Sequence, residues 1–269
     1  MLTDLRALYF HRQLLADFAW RDLRARYKGS VLGFAWNFLN PLLQLLVYYV
    51  LFGVLLGISV KNARGDVPAY GYAVFLFTGL LPWTFFASSL QGGANAVLAN
   101  GNLVKKVRML LTVLPAATVL SNLVNFLLGL VVLAAVLLVA GVGLLPTLVY
   151  APLLVAIQVV LNLGFAYLLA ALTVFFRDIL HILGILLTLW YFLTPVIFSL
   201  ESVATSPTRS LLLHLNPMTP IIATYQRAIL DGIAPDWPWL LYSAAFAVLV
   251  FIVGFQVYRR SSPIFEEEL

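Results

Sequence analysis

Hydrophobic residues occur in long runs that no charged residue interrupts. The run from 31 to 58 contains 28 residues without an Asp, Glu, Lys or Arg. A helix of that length is about 42 Å long, at about 1.5 Å per residue, whereas the hydrocarbon core of a bilayer is about 30 Å thick. The run therefore predicts a helix that crosses a membrane.

Further uncharged runs predict five more spans. The run from 109 to 176 is too long for one crossing, and a turn signal at Gly141, Gly143 and Pro146 divides it near its middle. We therefore expect an all-α membrane protein with a six-helix transmembrane domain from 31 to 260 and a tail from 261 to 269. The predicted spans are approximately 31–58, 70–91, 115–140, 147–176, 179–200 and 239–258.

The composition agrees with a membrane protein and excludes a water-soluble enzyme. Hydrophobic residues make up 62% of the chain and charged residues 10%, against about 45–50% and about 25% in soluble domains. The mean hydropathy is +0.99. The chain has no Cys and three His residues, so we expect neither a disulfide framework nor a metal site.

The basic residues are distributed unequally between the two sides of the predicted membrane domain. Six spans place both termini on one side. Twelve of the sixteen Lys and Arg residues lie on that side, and four lie on the other. Because cytoplasmic loops carry an excess of basic residues, we expect both termini in the cytoplasm.

The segment from 1 to 30 predicts an amphipathic helix before the first span. Trp20, Leu23 and Tyr27 recur at helical spacing, and cations follow one position later, rotated by about 100°. Such a helix would lie along the membrane interface and contact lipid headgroups or a docking partner. Alternatively, the basic flank only fixes the orientation of the first span. The cations of this stripe are Arg21, Arg24 and Lys28.

The segment from 201 to 237 is the only long segment on the side opposite the termini. Its apolar stretches, 211–215 and 221–230, are too short to span a membrane and are separated by prolines. We expect half-helices over 207–232 that dip into the membrane, where irregular backbone needs protein or a water-filled cavity around it. They would form a pore mouth, and the alternative is an ordinary surface loop.

Clustered aromatic residues and intramembrane amides are the candidates for contacts with a substrate. Aromatic rings can stack on a sugar, although most in membrane proteins are interfacial anchors or packing residues. The candidate channel-lining aromatic residues are Tyr48, Tyr49, Trp83, Phe85, Phe86, Trp190, Tyr191 and Phe192. Amides in or beside the spans form interhelical hydrogen bonds or bind a ligand. They are Asn37, Asn40, Gln44, Gln91, Asn95, Asn122, Asn125, Gln158 and Asn162.

Catalysis by this chain has little support in the sequence. No G-x-x-x-x-G-K-[ST] loop for ATP is present, and Asp178 is the only acidic residue between Asp66 and Glu201. Arg177 and Asp178, near His181, predict a structural ion pair rather than an acid–base site. A proton-coupled carrier would normally need acidic residues within the membrane, so active transport would require energy from another subunit.

Short motifs follow one another along nearly the whole chain. The N-terminal motif runs from Arg21 to Gly33 and continues with Trp36 and Leu39-Asn40-Pro41. The later motifs are Gly79-Leu80-Leu81-Pro82-Trp83 with Phe85-Phe86, Asn102-Leu103-Val104-Lys105-Lys106-Val107, Phe176-Arg177-Asp178-Ile179 with His181, Thr194-Pro195-Val196, Leu215-Asn216-Pro217-Met218 and Phe265-Glu266. In this order they resemble the permease subunits of type-2 ABC exporters that move polysaccharides such as O-antigen, capsule and teichoic acid.

The resemblance implies a transporter permease subunit rather than an enzyme. Its partners would be a second copy of the chain, two separate subunits that bind ATP and Mg²⁺, and membrane lipids. The substrate would be a polysaccharide on undecaprenyl diphosphate, which crosses a bacterial or archaeal cytoplasmic (inner) membrane in an aromatic-lined channel between the protomers. No cofactor on this chain and no nucleic acid are implied.

The resemblance also implies residues for docking and for an exit gate. Contacts with the ATPase or with headgroups would come from Arg21, Arg24, Arg26, Lys28, Lys105, Lys106 and Arg108, and the gate from Asn216, Pro217, Tyr225 and Arg227. Relatives commonly have Phe-Pro and a charged residue after the Lys-Lys pair, whereas this chain has 108–112 before Leu114-Pro115. Two other functions stay open: a permease for a drug or small lipid, and a membrane enzyme on lipid-linked sugar, which should show a convergent acid, base or metal cluster.

Overall fold

The described residues of the chain form helices and turns and no β-strand, which confirms the predicted all-α class. The structure is a computed structural model that describes residues 12–26, 29–58, 71–106, 111–139, 141, 145–204 and 206–268. In chain order the helices are α1 (Arg12–Arg26), α2 (Trp36–Tyr48), α3 (Gly71–Asn95), α4 (Gly101–Lys106), α5 (Val113–Val139), α6 (Ala151–Phe175), α7 (Ile179–Phe192), α8 (Leu200–Val203), α9 (Pro207–His214), α10 (Met218–Gln226), α11 (Trp237–Ser261) and α12 (Phe265–Glu268).

Among the described residues, five helical segments are long and apolar enough to span a membrane. Each falls on a predicted span, with ends that differ by a few residues. A π-helical segment, Tyr49–Leu55, lengthens α2, and short 3₁₀ turns precede α2 and α6 and follow α11. The segments are Gly33–Leu55, Gly71–Asn95, Val113–Val139, Pro146–Phe175 and Trp237–Ile264.

The predicted fifth span, 179–200, is shorter in the structure. α7 has 14 residues, about 21 Å at about 1.5 Å per residue, which is less than the hydrocarbon core of about 30 Å. The helix ends at Phe192 because Pro195 has no backbone N–H and disfavours helical geometry at Thr194 before it. Six complete spans are therefore not confirmed.

α6 is the central helix and packs against both α3 and α11. Gly164 of α6 faces Gly254 of α11 so closely that a Cβ atom on Gly254 would overlap the carbonyl oxygen of Gly164. On the other side, a Cβ atom on Gly93 of α3 would lie 2.5 Å from the Cβ atom of Ala166. Small residues thus let these backbones approach, as in other membrane helix pairs.

α1 lies against α5. Ala19 and Leu23 are buried, and Ser121 Oγ of α5 donates a hydrogen bond to Asp22 Oδ2. Leu23 therefore packs on protein, whereas Trp20 of the same predicted stripe is exposed. Tyr27, the third residue of that stripe, lies outside the described residues.

α2 and α7 leave most of their apolar side chains uncovered. Almost no residue in the most apolar part of Gly33–Leu55 is buried. On α7, exposed apolar residues recur at helical spacing and form one continuous face. They are Ile182, Ile185, Leu186 and Leu189. These two faces are available to lipid or to another protein chain.

The two half-helices expected over 207–232 correspond to α9 and α10. α9 is largely exposed, and its N-terminus is capped by Ser206, whose Oγ accepts a hydrogen bond from the Arg209 backbone N–H at 3.4 Å. Every residue of α10 is buried, and α10 contacts α3, α6 and α11. Protein therefore surrounds α10 on several sides.

Candidate functional site

Two cavities lined by cations lie at the end of the bundle that carries α1 and α4. One has a volume of about 500 Å³ and is lined by Asp17, Trp20, Arg21, Arg24 and Ala25. The other has a volume of about 330 Å³ and is lined by Leu98, Ala99, Gly101, Asn102, Lys105 and Arg177. We call the four cations of these cavities, Arg21, Arg24, Lys105 and Arg177, the basic face.

A hydrogen bond joins the two cavities. Arg21 Nη2 of α1 donates to Oδ1 of Asn100, just before α4, at 2.8 Å. Arg21 Cζ also lies 4.3 Å from the ring centroid of Phe18, and Arg24 Cζ lies 5.0 Å from that of Trp20. Cation–π contacts thus support both exposed guanidinium groups. Asn100 was not predicted as a site residue, because only the folded chain brings it to α1.

The other predicted docking cations are described only in part. Arg26 and Lys106 are the last residues of α1 and α4, and Lys28 and Arg108 lie outside the described residues. Arg177 and Asp178 are exposed in the turn between α6 and α7, and the ion pair between them stays a prediction. Arg177 lines a cavity together with Lys105.

The predicted channel aromatics divide into a buried and an accessible group. Trp83, Phe85 and Phe86 are buried. Phe86 is fully enclosed, and its ring centroid lies 5.7 Å from that of Trp83 and 5.1 Å from that of Trp190. Tyr49 and Phe192 are 58% and 59% exposed. The remaining residues are half-buried: Tyr48, Trp190 and Tyr191.

Asn216 connects the end of α7 to the start of α10. Its Oδ1 accepts hydrogen bonds from Trp190 Nε1 at 2.8 Å and from the Met218 backbone N–H at 3.0 Å. Its Nδ2 donates to Thr194 Oγ1 at 2.8 Å. The neighbouring Pro217 is buried, and its carbonyl oxygen accepts from Ser243 Oγ of α11 at 2.9 Å. These two predicted gate residues are thus fixed by hydrogen bonds to three helices.

The other two predicted gate residues have different environments. Arg227 Nη2 lies 2.6 Å from Glu201 Oε1 of α8, and Arg227 Nε donates to the same oxygen at 2.7 Å. Tyr225 is completely buried, and its ring lies edge-on to that of Phe126, with centroids 5.9 Å apart. Tyr225 therefore lies in the core, whereas Arg227 forms an ion pair at the surface.

Polar residues of α2, α3 and α5 line a cavity of about 180 Å³ within the membrane domain. We call it the amide cavity and define it by Asn37, Asn40, Gln44, Thr84, Ser88 and Asn125. The hydroxyls of Thr84 and Ser88 were not predicted as site residues, since isolated Ser and Thr residues are common in membrane helices. No group of three or more His, Cys, Asp and Glu residues that could hold a metal ion occurs among the described residues.

Comparison with known proteins agrees with this architecture. The model of the ABC-2 type transporter family matches residues 14–230. The O-antigen export system permease protein RfbA of Myxococcus xanthus is 40% identical over 273 residues, which cover 100% of both chains. RfbA of Klebsiella pneumoniae is 28% identical over 93% of this chain and 92% of its own length.

A more distant relative is named for the transport of a different polysaccharide. The polysialic acid transport protein KpsM of Escherichia coli is 24% identical over 89% of this chain and 90% of its own length. The family model covers most of the chain, and the first relative matches it from end to end. This chain belongs to the ABC-2 type transporter family of membrane proteins and is a transporter subunit rather than an enzyme.

Proposed function

We propose that this chain is the membrane-spanning permease subunit of an ATP-driven polysaccharide exporter. The observation that carries the proposal is the full-length match, at 40% identity, to a protein named for O-antigen export. The similarity to a polysialic acid transport protein extends over most of the chain. The substrate is a polymer of the O-antigen, capsular or teichoic-acid type, carried on undecaprenyl diphosphate.

The functional unit is a homodimer with the channel between its protomers. The uncovered apolar faces of α2 and α7 support this proposal, because together they offer a continuous surface for a second copy. Tyr49 lies in the π-helical extension of α2 and Phe192 is the last residue of α7, and both rings are exposed. They can contact a sugar in the channel directly. The buried rings of Trp83, Phe85 and Phe86 support that wall from behind.

The basic face is the docking surface for two separate ATPase subunits. Its four cations are exposed at one end of the bundle, where they favour acidic residues of a partner or the phosphates of lipid headgroups. The excess of basic residues on this side supports a cytoplasmic position for it, and the membrane in this proposal is a bacterial or archaeal inner membrane. The ATPase subunits bind ATP and Mg²⁺, and their closure widens the interface between the permease protomers.

The exit lies at the opposite end, around α8, α9 and α10. Asn216 and Pro217 fix α10 to α7 and α11, and the Arg227–Glu201 ion pair joins α8 to the segment after α10. An ion pair at the surface can break and reform at low cost. We therefore assign the movable part of the gate to Arg227 and Glu201, and the fixed part to Asn216 and Pro217.

The proposal is tested by purifying the chain with its partner ATPase in lipid nanodiscs. We expect the lipid-linked polysaccharide extracted from the producing cells to stimulate ATP hydrolysis. Stimulation by small lipids or drugs but not by the polysaccharide would support the alternative permease function. Chemical turnover of the polysaccharide lipid by the chain alone would contradict a transporter subunit.

A charge-matched pair of variants tests the docking surface. Arg21→Gln, Arg24→Gln and Lys105→Gln together remove three charges from the basic face, and we expect loss of ATPase binding and of export at unchanged membrane abundance. The control replaces Arg12, Arg259 and Arg260 by Gln, which removes the same charge from the same side outside both cavities. Equal effects of both triple variants would show that the charges act only through orientation or headgroup attraction.

A further inference from the structure

The intramembrane amides differ in their hydrogen-bond partners. Gln158 Nε2 donates to the carbonyl oxygen of Pro82 at 2.6 Å, and Asn162 Nδ2 donates to Ser89 Oγ at 3.3 Å. The amide oxygens of these two residues have no partner among the described residues, so each of them uses one of its two polar atoms. Asn37 is 4% exposed, and within the described residues neither its Oδ1 nor its Nδ2 has a hydrogen-bond partner. A buried polar group without a partner lowers the stability of a protein by about 1–3 kcal/mol. A stabilising role therefore does not explain why an asparagine occupies position 37.

Asn37 lines the amide cavity. The cavity has a volume of about 180 Å³, which is room for several water molecules at about 30 Å³ each, or for a single sugar ring with its hydroxyl groups. On the α5 side, Asn125 also lines it, and within the described part of the chain Asn125 Oδ1 has no hydrogen-bond partner. Two helices therefore contribute to the lining amide residues that have unpaired hydrogen-bonding atoms.

The lining selects the chemistry of a ligand. Its side chains are amides, hydroxyls and apolar groups, and no charged residue among those that the structure describes contributes to it. An amide offers both a donor and an acceptor, as does each hydroxyl group of a sugar. The cavity therefore suits a neutral polyhydroxyl ligand better than a phosphate or a cation. A lipid tail would leave the amides unpaired.

The face of α2 that lines the cavity also carries an aromatic residue of the proposed channel. Asn37, Asn40, Gln44 and Tyr48 follow at helical spacing on one face of α2. Gln44 Nε2 donates to the hydroxyl oxygen of Tyr48 at 3.1 Å, and the Tyr48 and Phe52 ring centroids lie 6.1 Å apart. Asn40 and Gln44 are exposed, so this face leads from the buried Asn37 to the uncovered side of α2.

We propose that the amide cavity is a binding subsite for the hydroxyl groups of a neutral sugar residue in the exported glycan. The inference rests on the proposed export function and assigns one contact along the path. Amide–hydroxyl hydrogen bonds exchange readily with water, because each contributes only about 0.5–1.5 kcal/mol net. The subsite can thus hold one sugar residue in register and release it when the polymer advances.

The test replaces amides by leucine, which is similar in size and forms no hydrogen bonds. Asn37→Leu and Asn125→Leu remove unused groups from opposite walls of the cavity, whereas the control Gln158→Leu removes an amide that is hydrogen-bonded within the chain. Each variant is purified with the partner ATPase in nanodiscs. ATP hydrolysis is measured with the extracted lipid-linked polysaccharide and, separately, with undecaprenyl diphosphate that carries no sugar. The melting temperature is measured in parallel.

We expect opposite patterns for the two kinds of variant. Asn37→Leu and Asn125→Leu should keep or raise the melting temperature and lower the polysaccharide-dependent stimulation at least fivefold, while the response to the sugar-free lipid is retained. Gln158→Leu should lower the melting temperature and keep the stimulation per folded molecule. The contrast separates a sugar contact from a structural role.

Three results would overturn the inference. Full polysaccharide stimulation in Asn37→Leu and Asn125→Leu would show that the cavity holds only water. An equal loss of the stimulation by the sugar-free lipid would show that the site binds the lipid carrier. A lower melting temperature of Asn37→Leu would show that Asn37 has a structural role. If the unaltered complex itself does not respond to the polysaccharide, the proposed export function fails instead.

Discussion

Arg21 Nη2 and Asn100 Oδ1 are 2.8 Å apart, and this hydrogen bond joins α1 to the turn that precedes α4. The two segments carry the two cavities of the basic face, so the bond links the surfaces to which we assign ATPase docking. Asp22 and Leu23 attach α1 to α5 in addition. A displacement of α1 is therefore expected to displace both the α4 segment and the membrane domain.

Asn100→Ala should loosen α1 without unfolding the chain. An exposed hydrogen bond contributes about 0.5–1.5 kcal/mol, and about 1 kcal/mol corresponds to a roughly fivefold change in an equilibrium. We expect hydrogen–deuterium exchange in residues 12–26 to accelerate about fivefold. Asn102→Ala is the control, because Asn102 lines the neighbouring cavity and has no hydrogen bond to α1 in the described structure. Equal exchange in both variants would contradict the coupling.

Asn216→Ala should destabilise the junction of α7 and α10. The substitution removes the partner of Trp190 Nε1, the Met218 backbone N–H and Thr194 Oγ1 at once. We expect the free energy of unfolding in detergent to fall by about 2–3 kcal/mol, because several part-buried hydrogen bonds are lost together. Trp190→Phe removes one donor and should cost about 1 kcal/mol. In the presence of Asn216→Ala, the Trp190→Phe substitution should lower the free energy of unfolding by less than it does alone.

The sequence predicted where the membrane helices lie but not where α7 ends. A span must avoid charge over about 20 residues, and this requirement is visible along the chain. The residues after Phe192 are also uncharged, so hydropathy extended the fifth span to 200. The helix ends earlier because Pro195 disrupts backbone hydrogen bonding.

Side-chain partners were not predictable at the same level. Asn37 and Asn162 are both amides in apolar runs, and only helix packing shows that Asn162 has a hydrogen-bond partner while Asn37 faces a cavity. Phe86 and Tyr49 likewise belong to similar aromatic clusters, yet one ring is enclosed and the other exposed. Periodicity identifies the face of one helix, whereas burial depends on which helices lie next to it.

Gly254→Ala should separate α6 from α11. The new Cβ atom would overlap the backbone oxygen of Gly164, which cannot move as a flexible side chain can. We expect the free energy of unfolding to fall by about 3 kcal/mol, at the upper end for overpacking, measured by denaturation in detergent. Gly184→Ala on α7 is the control, since its Cβ atom would meet nothing within 4 Å and alanine favours a helix by about 1 kcal/mol.

Cysteine cross-linking should detect the proposed homodimer. The chain contains no native Cys, so introduced thiols react without background. Two differently tagged copies, one with Leu46→Cys on α2 and one with Ile185→Cys on α7, should give a mixed disulfide dimer if α2 of one protomer faces α7 of its partner. Neighbouring positions at helical spacing, Val54 on the π-helical extension and Leu189 on α7, cover other registers. Leu241→Cys, at an exposed position of α11, replaces Ile185→Cys in the control and should give no dimer.

The Arg227–Glu201 ion pair should contribute to both stability and gating. Its side chains are 24% and 33% exposed, so the coupling energy from a double-mutant cycle with Arg227→Gln and Glu201→Gln is expected to be about 1 kcal/mol or less. The swapped pair, Arg227→Glu with Glu201→Arg, should recover most of the stability.

If the pair closes the exit, either single variant should also raise the leak of small solutes from vesicles that contain the reconstituted exporter, and the swap should lower it again. A loss of stability with no leak in either single variant would restrict Arg227 and Glu201 to a structural role.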